Sequence, residues 1–248
     1  MSYFKRIIIY IIIVVVLMYG LSYSSATNEK EETIISNETN NVMYLSKKLK
    51  VGDELEFGRF YDLNNDDEIE RVPIKWMVLD RLNEYALLIT KDIIKTMPYN
   101  YLWSPTNWRD SNIRSWLNYD FYDIAFNDIE KKRIRKVITE NVGNHVQNVI
   151  SEFQTNDYVF LLSIEEAKQY FKYSKDYRAV GTEYAKKEGL WISKYETSVG
   201  YSVWWLRSPG RSMSSAAIVY AAGGIGYSGD GVATRGNGLR PCIWVECR

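Results

Sequence analysis

A short cationic start and the apolar run behind it set the first limit on what this chain can fold into. Lys5 and Arg6 are the only charges before residues 7–23, a stretch that is apolar apart from Tyr10, Tyr19, Gly20, Ser22 and Tyr23. A charged n-region leading into an apolar h-region is the pattern of an export signal. Ser24, Ser25 and Ala26 put small residues where a signal peptidase reads, so cleavage after Ala26 is one expected fate. The other is an uncleaved membrane anchor, because the stretch reaches the short end of the ~17–25 residues that a spanning helix needs. Beyond it, Glu29, Glu31 and Glu32 outnumber Lys30, which fits the positive-inside orientation. A buried core helix is disfavoured, since residues 7–17 carry no charge and no amphipathic stripe. Under either fate residues 1–26 are a signal peptide or anchor, and the remainder is expected outside the cytoplasm, secreted or membrane-anchored.

Residues 27–48 are rich in Asn, Glu, Lys, Ser and Thr without sustained periodicity and read as a polar linker. That leaves residues 49–248 as a single globular domain of roughly 200 residues. Its core has to be held by burial. The 8 Trp, 20 Tyr and 8 Phe supply a large apolar area, whereas two cysteines, Cys242 and Cys247, are too few for a disulfide scaffold. Without Lys5 and Arg6 the 31 basic residues become 29 against 31 acidic ones, a formal charge of −2. Bulk charge therefore recruits neither nucleic acid nor anionic lipid, and any membrane contact is expected through the N-terminal segment.

Leu55, Phe57 and Arg59 alternate with their neighbours, and residues 74–79 and 85–89 are β-rich runs split by the turn-forming Asn83-Glu84. Ile113, Trp116 and Leu117 then fall at helical spacing. Asp128 is expected to cap a second helix reaching Ile134, and Ser163-Ile164-Glu165-Glu166 is a capping box ahead of Ala167, Tyr170 and Phe171. Residues 203–206, 216–222, 225–227 and 239–245 read as short strands, the middle two joined by the hairpin signal Gly223-Gly224. Strands, then helices, then strands predict an α+β architecture.

Trp204-Trp205-Leu206-Arg207-Ser208-Pro209-Gly210, followed by Asn237-Gly238-Leu239-Arg240-Pro241, resembles the C-terminal signature of the bacterial domain of unknown function 6273 family. Upstream, Phe57-Gly58-Arg59, residues 74–79 and 86–89, residues 111–118 with Phe121-Tyr122 and Ala125-Phe126, residues 157–163 with Glu165-Glu166-Ala167, and Thr182-Glu183-Tyr184-Ala185 are similar to that family's blocks in order. The tail also resembles, more distantly, the C-type-lectin-like folds that include formylglycine-generating enzymes. What the resemblance implies is a C-type-lectin-like domain with an antiparallel sheet and a few short helices, preceded by the signal or anchor helix. It implies no established activity.

The residues themselves offer little catalytic chemistry. His145 is the single histidine, so a His-rich metal site is excluded, and it follows Asn141-Val142-Gly143-Asn144, read as a loop with no nucleophile motif beside it. Gly223-Gly224-Ile225-Gly226 lacks the Lys-Ser/Thr sequel of a phosphate loop. Cys242 and Cys247 are weighed because formylglycine-generating enzymes act through two nearby cysteines. Their odd separation sends them to opposite faces of a regular strand, where they neither meet nor share a copper ion, and a packed core thiol is the preferred reading of Cys242. A cysteine-dependent oxidoreductase stays as the alternative. Asp62, Asn64, Asp66 and Glu68 alternate oxygens like the start of a calcium loop, but Asp67 replaces the turn glycine and Pro73 the bidentate Glu. An acidic hairpin turn explains them without metal, so no cofactor is expected, with calcium as the alternative.

Aromatic side chains stack on sugar rings, and an exported domain rich in them points to carbohydrate or cell-wall ligands. Trp76, Trp116 and Trp244 sit in apolar runs and are read as core. Trp204 and Trp205 point to opposite faces of one strand, so at most one is expected in the core and Trp205 is carried as a groove residue. Trp103 and Trp108, in the Pro-containing segment 98–108, are the candidates for exposure, with a loop cover over the core as the other reading. Arg211, Tyr227, Asp230, Arg235 and Asn237 lie in hairpin loops of the tail and complete the candidate recognition face. The reading is an exported, non-catalytic surface binding module. A purely structural or protein-interaction domain remains the third alternative.

Overall fold

The computed structural model describes residues 49–64 and 66–247. Residues 1–26, expected to be a signal peptide or anchor, and residues 27–48, expected to be a linker, lie outside the described residues. The architecture is α+β, built of mostly antiparallel sheets and a few short helices. No helix among the described residues is long and apolar enough to cross a membrane.

The chain opens with β1 (Glu54–Leu63), β2 (Ile69–Leu82), β3 (Tyr85–Thr90) and β4 (Lys95–Thr96). After four short helical segments come β5 (Ile134–Arg135), β6 (Val137–Asn144) and β7 (Val149–Asp157). The tail adds β8 (Trp204–Pro209), β9 (Ser215–Val219), β10 (Ile225–Gly231), β11 (Gly238–Leu239) and β12 (Cys242–Glu246). One sheet has the order β1-β2-β3-β12-β5, a second β10-β9-β8-β11-β4, and β6 and β7 pair as a separate hairpin. β11 runs parallel to β8; the other pairings are antiparallel.

Alternation explains the first sheet. Leu55 and Phe57 on β1 and Ile74, Trp76 and Val78 on β2 turn inward, and Trp76 Nε1 donates to Phe57 O at 2.7 Å, so the indole is buried with its one polar atom satisfied. Phe60, Phe121 and Phe126 pack edge-on behind them, with ring centroids 5.2 and 5.8 Å apart. Each fully buried indole or phenyl ring contributes roughly 4 kcal/mol of transfer free energy before its ordering cost. Where β1 crosses Phe126 the strand bulges. The register shifts between Glu56 and Arg59, and Gly58 takes φ +69°. A Cβ there would stand 2.6 Å from the Phe126 ring, so only glycine admits both the left-handed turn and the close approach.

Several expectations meet their residues directly. Asn83, at φ +54°, makes the β2–β3 turn, and Gly223 and Gly224 make the β9–β10 turn. Ser163 caps Ile164–Tyr170 in the expected box: its Oγ accepts from Glu166 N at 3.1 Å, and Glu166 Oε2 accepts from Ser163 N at 2.9 Å. Others are corrected. Asn127, not Asp128, caps the helix Asp128–Arg133, because Asn127 is the residue with extended backbone and Glu130 completes its box. Asn141-Val142-Gly143-Asn144 is strand β6, not a loop, and its partner β7 had no counterpart in the sequence reading. Trp204 and Trp205 are both fully buried, because both faces of β8 are covered: Trp205 packs on Tyr99, and Trp204 on Phe171.

Candidate functional site

The segment between β4 and the helix Asn112–Trp116 is tied across the second sheet. Asn100 N donates to Val232 O and Thr106 N to Met213 O, each at 2.8 Å, and Asn112 Oδ1 accepts from Tyr101 N at 2.8 Å. Between these ties Tyr101, Leu102 and Trp103 stand out into solvent, with Trp103 70% exposed. The benzo end of its indole lies over Gly231; a Cβ there would come within 2.2 Å of Cη2. Beside Gly231, Asp230 Oδ2 accepts from Asn237 Nδ2 at 2.8 Å, while Asn237 O accepts from Thr96 Oγ1 at 2.8 Å. The fold thus sets an exposed indole over Gly231, while Asp230, its neighbour on the strand, turns to the other face toward Asn237, on backbone that is pinned from both sides.

The remaining residues of the expected face divide. Arg211 is exposed and its backbone N donates to Ser228 O at 3.0 Å, so it stands with Tyr227 nearer the start of β10 than Asp230 and Gly231. Arg235 is exposed in the turn after β10. Asn237 contributes through Asp230 but is itself buried. Two indoles leave the face altogether. Trp108 is buried, its Nε1 donating to Asp157 Oδ2 at 3.0 Å, and Trp205 Nε1 donates to Met97 O at 3.0 Å. Each had a polar partner inside the protein, so neither needed solvent.

The acidic run is the turn between β1 and β2. Asn64 Oδ1 accepts from the backbone N of Asp66 and of Glu68, each at 2.9 Å, an Asx arrangement, and Asp62 Oδ1 accepts from Leu63 N and Tyr184 N, also at 2.9 Å. Those oxygens are committed to amides, and among the described residues no group of three or more His, Cys, Asp or Glu could hold a metal ion. Cys242 is buried and burial pushes its thiol well above the ordinary range; Cys247 is half-buried and shifted the same way. Raised thiols hold less thiolate, which is the opposite of nucleophile activation. His145 is exposed in the turn linking β6 to β7.

Three buried polar centres were not singled out from sequence. Asp157 gathers Arg114, Trp108, Thr139 and Thr155. Arg207 forks onto Glu166, its Nη2 donating to Oε1 at 2.7 Å and its Nη1 to Oε2. Arg240 is buried without a carboxylate partner among the described residues. The two arginines stood within the family signature, but only as letters of a motif; nothing in their spacing separates a paired guanidinium from an unpaired one.

No curated protein and no solved structure matches the chain. A family model matches residues 83–247, which takes in β3 to β12, the Trp103 segment, and both arginines. Phe57-Gly58-Arg59 and residues 74–79 lie ahead of the matched span. Over that span, about two thirds of the sequence, the chain belongs to the family described as Domain of unknown function (DUF6273).

Proposed function

We propose that this is an exported, non-catalytic binding module of the bacterial surface that takes carbohydrate or cell-wall ligands on the Trp103 platform. The observation that carries the reading is the exposure of Trp103 over Gly231. An indole offers a sugar its C–H-binding face. Residues 98–108 are tied at Asn100 and Thr106, so little ordering remains to oppose binding. Export through residues 1–26 belongs to the same proposal, as does a C-type-lectin-like reading of the sheets, in which the Trp-rich β8 runs beside β11. The raised thiol of Cys242 gives the oxidoreductase alternative no support.

The test is calorimetric titration of the full chain with soluble peptidoglycan fragments and a glycan panel. Trp103→Ala is expected to weaken binding about threefold to tenfold, the worth of one stacked aromatic contact, with an unchanged melting temperature. Absence of binding to every ligand, or equal binding by the variant, overturns the proposal.

A further inference from the structure

The two buried arginines of the tail are compensated in different ways. Arg207 has the Glu166 carboxylate and the carbonyls of Leu161 and Glu140. Arg240, only 2% exposed, has carbonyls alone: Nε donates to Thr90 O at 3.1 Å and Nη2 to Lys91 O at 3.2 Å. Its Nη1 is buried without a hydrogen-bond partner. The rings of Trp204 and Phe171 flank the guanidinium at 5.0 and 5.9 Å. Carbonyls and ring faces orient a cation but bring no full negative charge. Asp92 attracts it without closing to an ion pair. Burial lowers the guanidinium to about 10, so it remains charged at neutral pH. A buried charge without a counter-ion is costly, and such a group in a concavity marks a candidate site.

Arg240 lines a cavity of about 390 Å³ that shares no residue with the Trp103 platform. The size falls in the range of small-ligand sites, on the order of 300–1,000 Å³. Val51, Met77, Leu79 and Phe171 make its walls apolar, and Lys175 and Arg178 add positive charge, Arg178 being held by a hydrogen bond from its Nε to Ala222 O at 3.0 Å and by the Tyr201 ring. Four cations, Lys91, Lys175, Arg178 and Arg240, line it against two acids, Glu54 and Asp176. Asp176 Oδ2 accepts from the backbone N of Lys172 and Tyr173, and Glu54 pairs with Lys91 at 2.7 Å. Positive charge is left over. Coulomb attraction falls only as the inverse of distance, so a head group in the cavity feels Arg240 without displacing its carbonyl partners.

We infer that this cavity binds a small amphiphilic anion, with a carboxylate or phosphate head group drawn to Arg240 and Arg178 and an apolar body against Val51, Met77 and Leu79. The inference is independent of the carbohydrate reading, and either can fail alone.

The experiment titrates the full chain with octanoate, octyl phosphate, octyl glucoside and inorganic phosphate, reading heat and melting temperature. Octanoate or octyl phosphate is expected to raise the melting temperature with dose, by mass action, and the tighter of the two identifies the head group. Octyl glucoside has the body without the charge and is expected not to bind. Inorganic phosphate has the charge without the body and is expected to bind at least about tenfold more weakly than octyl phosphate. Arg178→Gln is expected to lower affinity about fivefold, the loss of one charge-assisted contact, and Met77→Trp, which fills the cavity, to abolish binding. Arg240→Met is expected to abolish it too; should that variant fail to fold, Arg178→Gln and Met77→Trp carry the test. Binding of octyl glucoside as tight as that of the anions, retained binding in Met77→Trp, or no binding of either octyl anion overturns the inference.

Discussion

Replacing Asp157 by Asn removes one charge while keeping the shape of the side chain, in the most tightly connected polar site of the fold. Asp157 is 0% exposed. Its Oδ2 accepts from Trp108 Nε1 at 3.0 Å and from Thr139 Oγ1 and Thr155 Oγ1 at 2.7 Å each, and its Oδ1 accepts from Arg114 Nε at 2.6 Å. All four partners point donors at the carboxylate, so an amide NH₂ in either orientation faces a donor. Losing the charge-assisted bond to Arg114 costs about 1.5–3 kcal/mol, and one donor left unsatisfied in the interior about 1–3 more. The expected destabilisation is therefore about 2.5–6 kcal/mol, a large share of the ~5–15 kcal/mol that holds a domain together. At roughly 2–4 °C per kcal/mol for this size, the melting temperature should fall by about 5–24 °C. Urea unfolding gives the free energy directly, with the denaturant slope expected to stay constant. A cycle with Arg114→Ala should return a coupling of at least about 1 kcal/mol. A shift under about 0.5 kcal/mol for Asp157→Asn, the size of an ordinary surface change, would refute the network as a source of stability.

Gly58→Ala asks a Cβ to enter at φ +69° and 2.6 Å from the Phe126 ring; about 2–4 kcal/mol of destabilisation is expected by urea unfolding, combining backbone strain with overpacking. Asp92→Asn should act in the other direction. Desolvation raises the Asp92 pKa above its ordinary 3.8, so burial disfavours the ionised form and the carboxylate subtracts stability as pH rises through the folded pKa. The variant is expected to melt higher than the parent at neutral pH, with the difference vanishing below about pH 3.8, where both states hold the proton. A difference that persists in acid would mean the carboxylate is not the cause.

What could be read from the sequence depended on whether local chemistry and tertiary environment agreed. Ser163 and Glu166 cap a helix wherever they stand at that spacing, and Gly223-Gly224 turns a chain without help from neighbours, so both were legible. The β6–β7 hairpin was not, because its pattern is inverted: Ile138 is 61% exposed while Thr139 on the next position is 4% exposed, and Asn141, Thr155 and Asp157 are also buried. Alternation normally reveals a strand by its apolar face, and here the face turned inward is the polar one. The error at Trp205 had a similar root. The alternation across β8 was sound, but an isolated sequence does not say that a second layer covers the outer side. Exposure and burial were both open for Trp103 and Trp108 in the sequence, since only the fold supplies Asp157 as a partner for the second indole. Arg240 was invisible as a site residue because its significance lies in what does not accompany it.

The placement of β11 and β12 bears on how the fold assembles. The strands latest in the sequence lie inside the sheets: β12 between β3 and β5, and β11 between β8 and β4. Trp244 pairs with Leu87 and Leu239 with Lys95, partners brought together across more than half of the domain. Neither sheet can close until residues 238–246 arrive, so the early strands must wait with open edges while the largest loop-closure entropy is still unpaid. Such long-range pairing gives a high contact order and slow, late-closing folding. An emerging chain therefore keeps both sheets open until its last strands are made, and its exposed edges are the hazard that late closure carries.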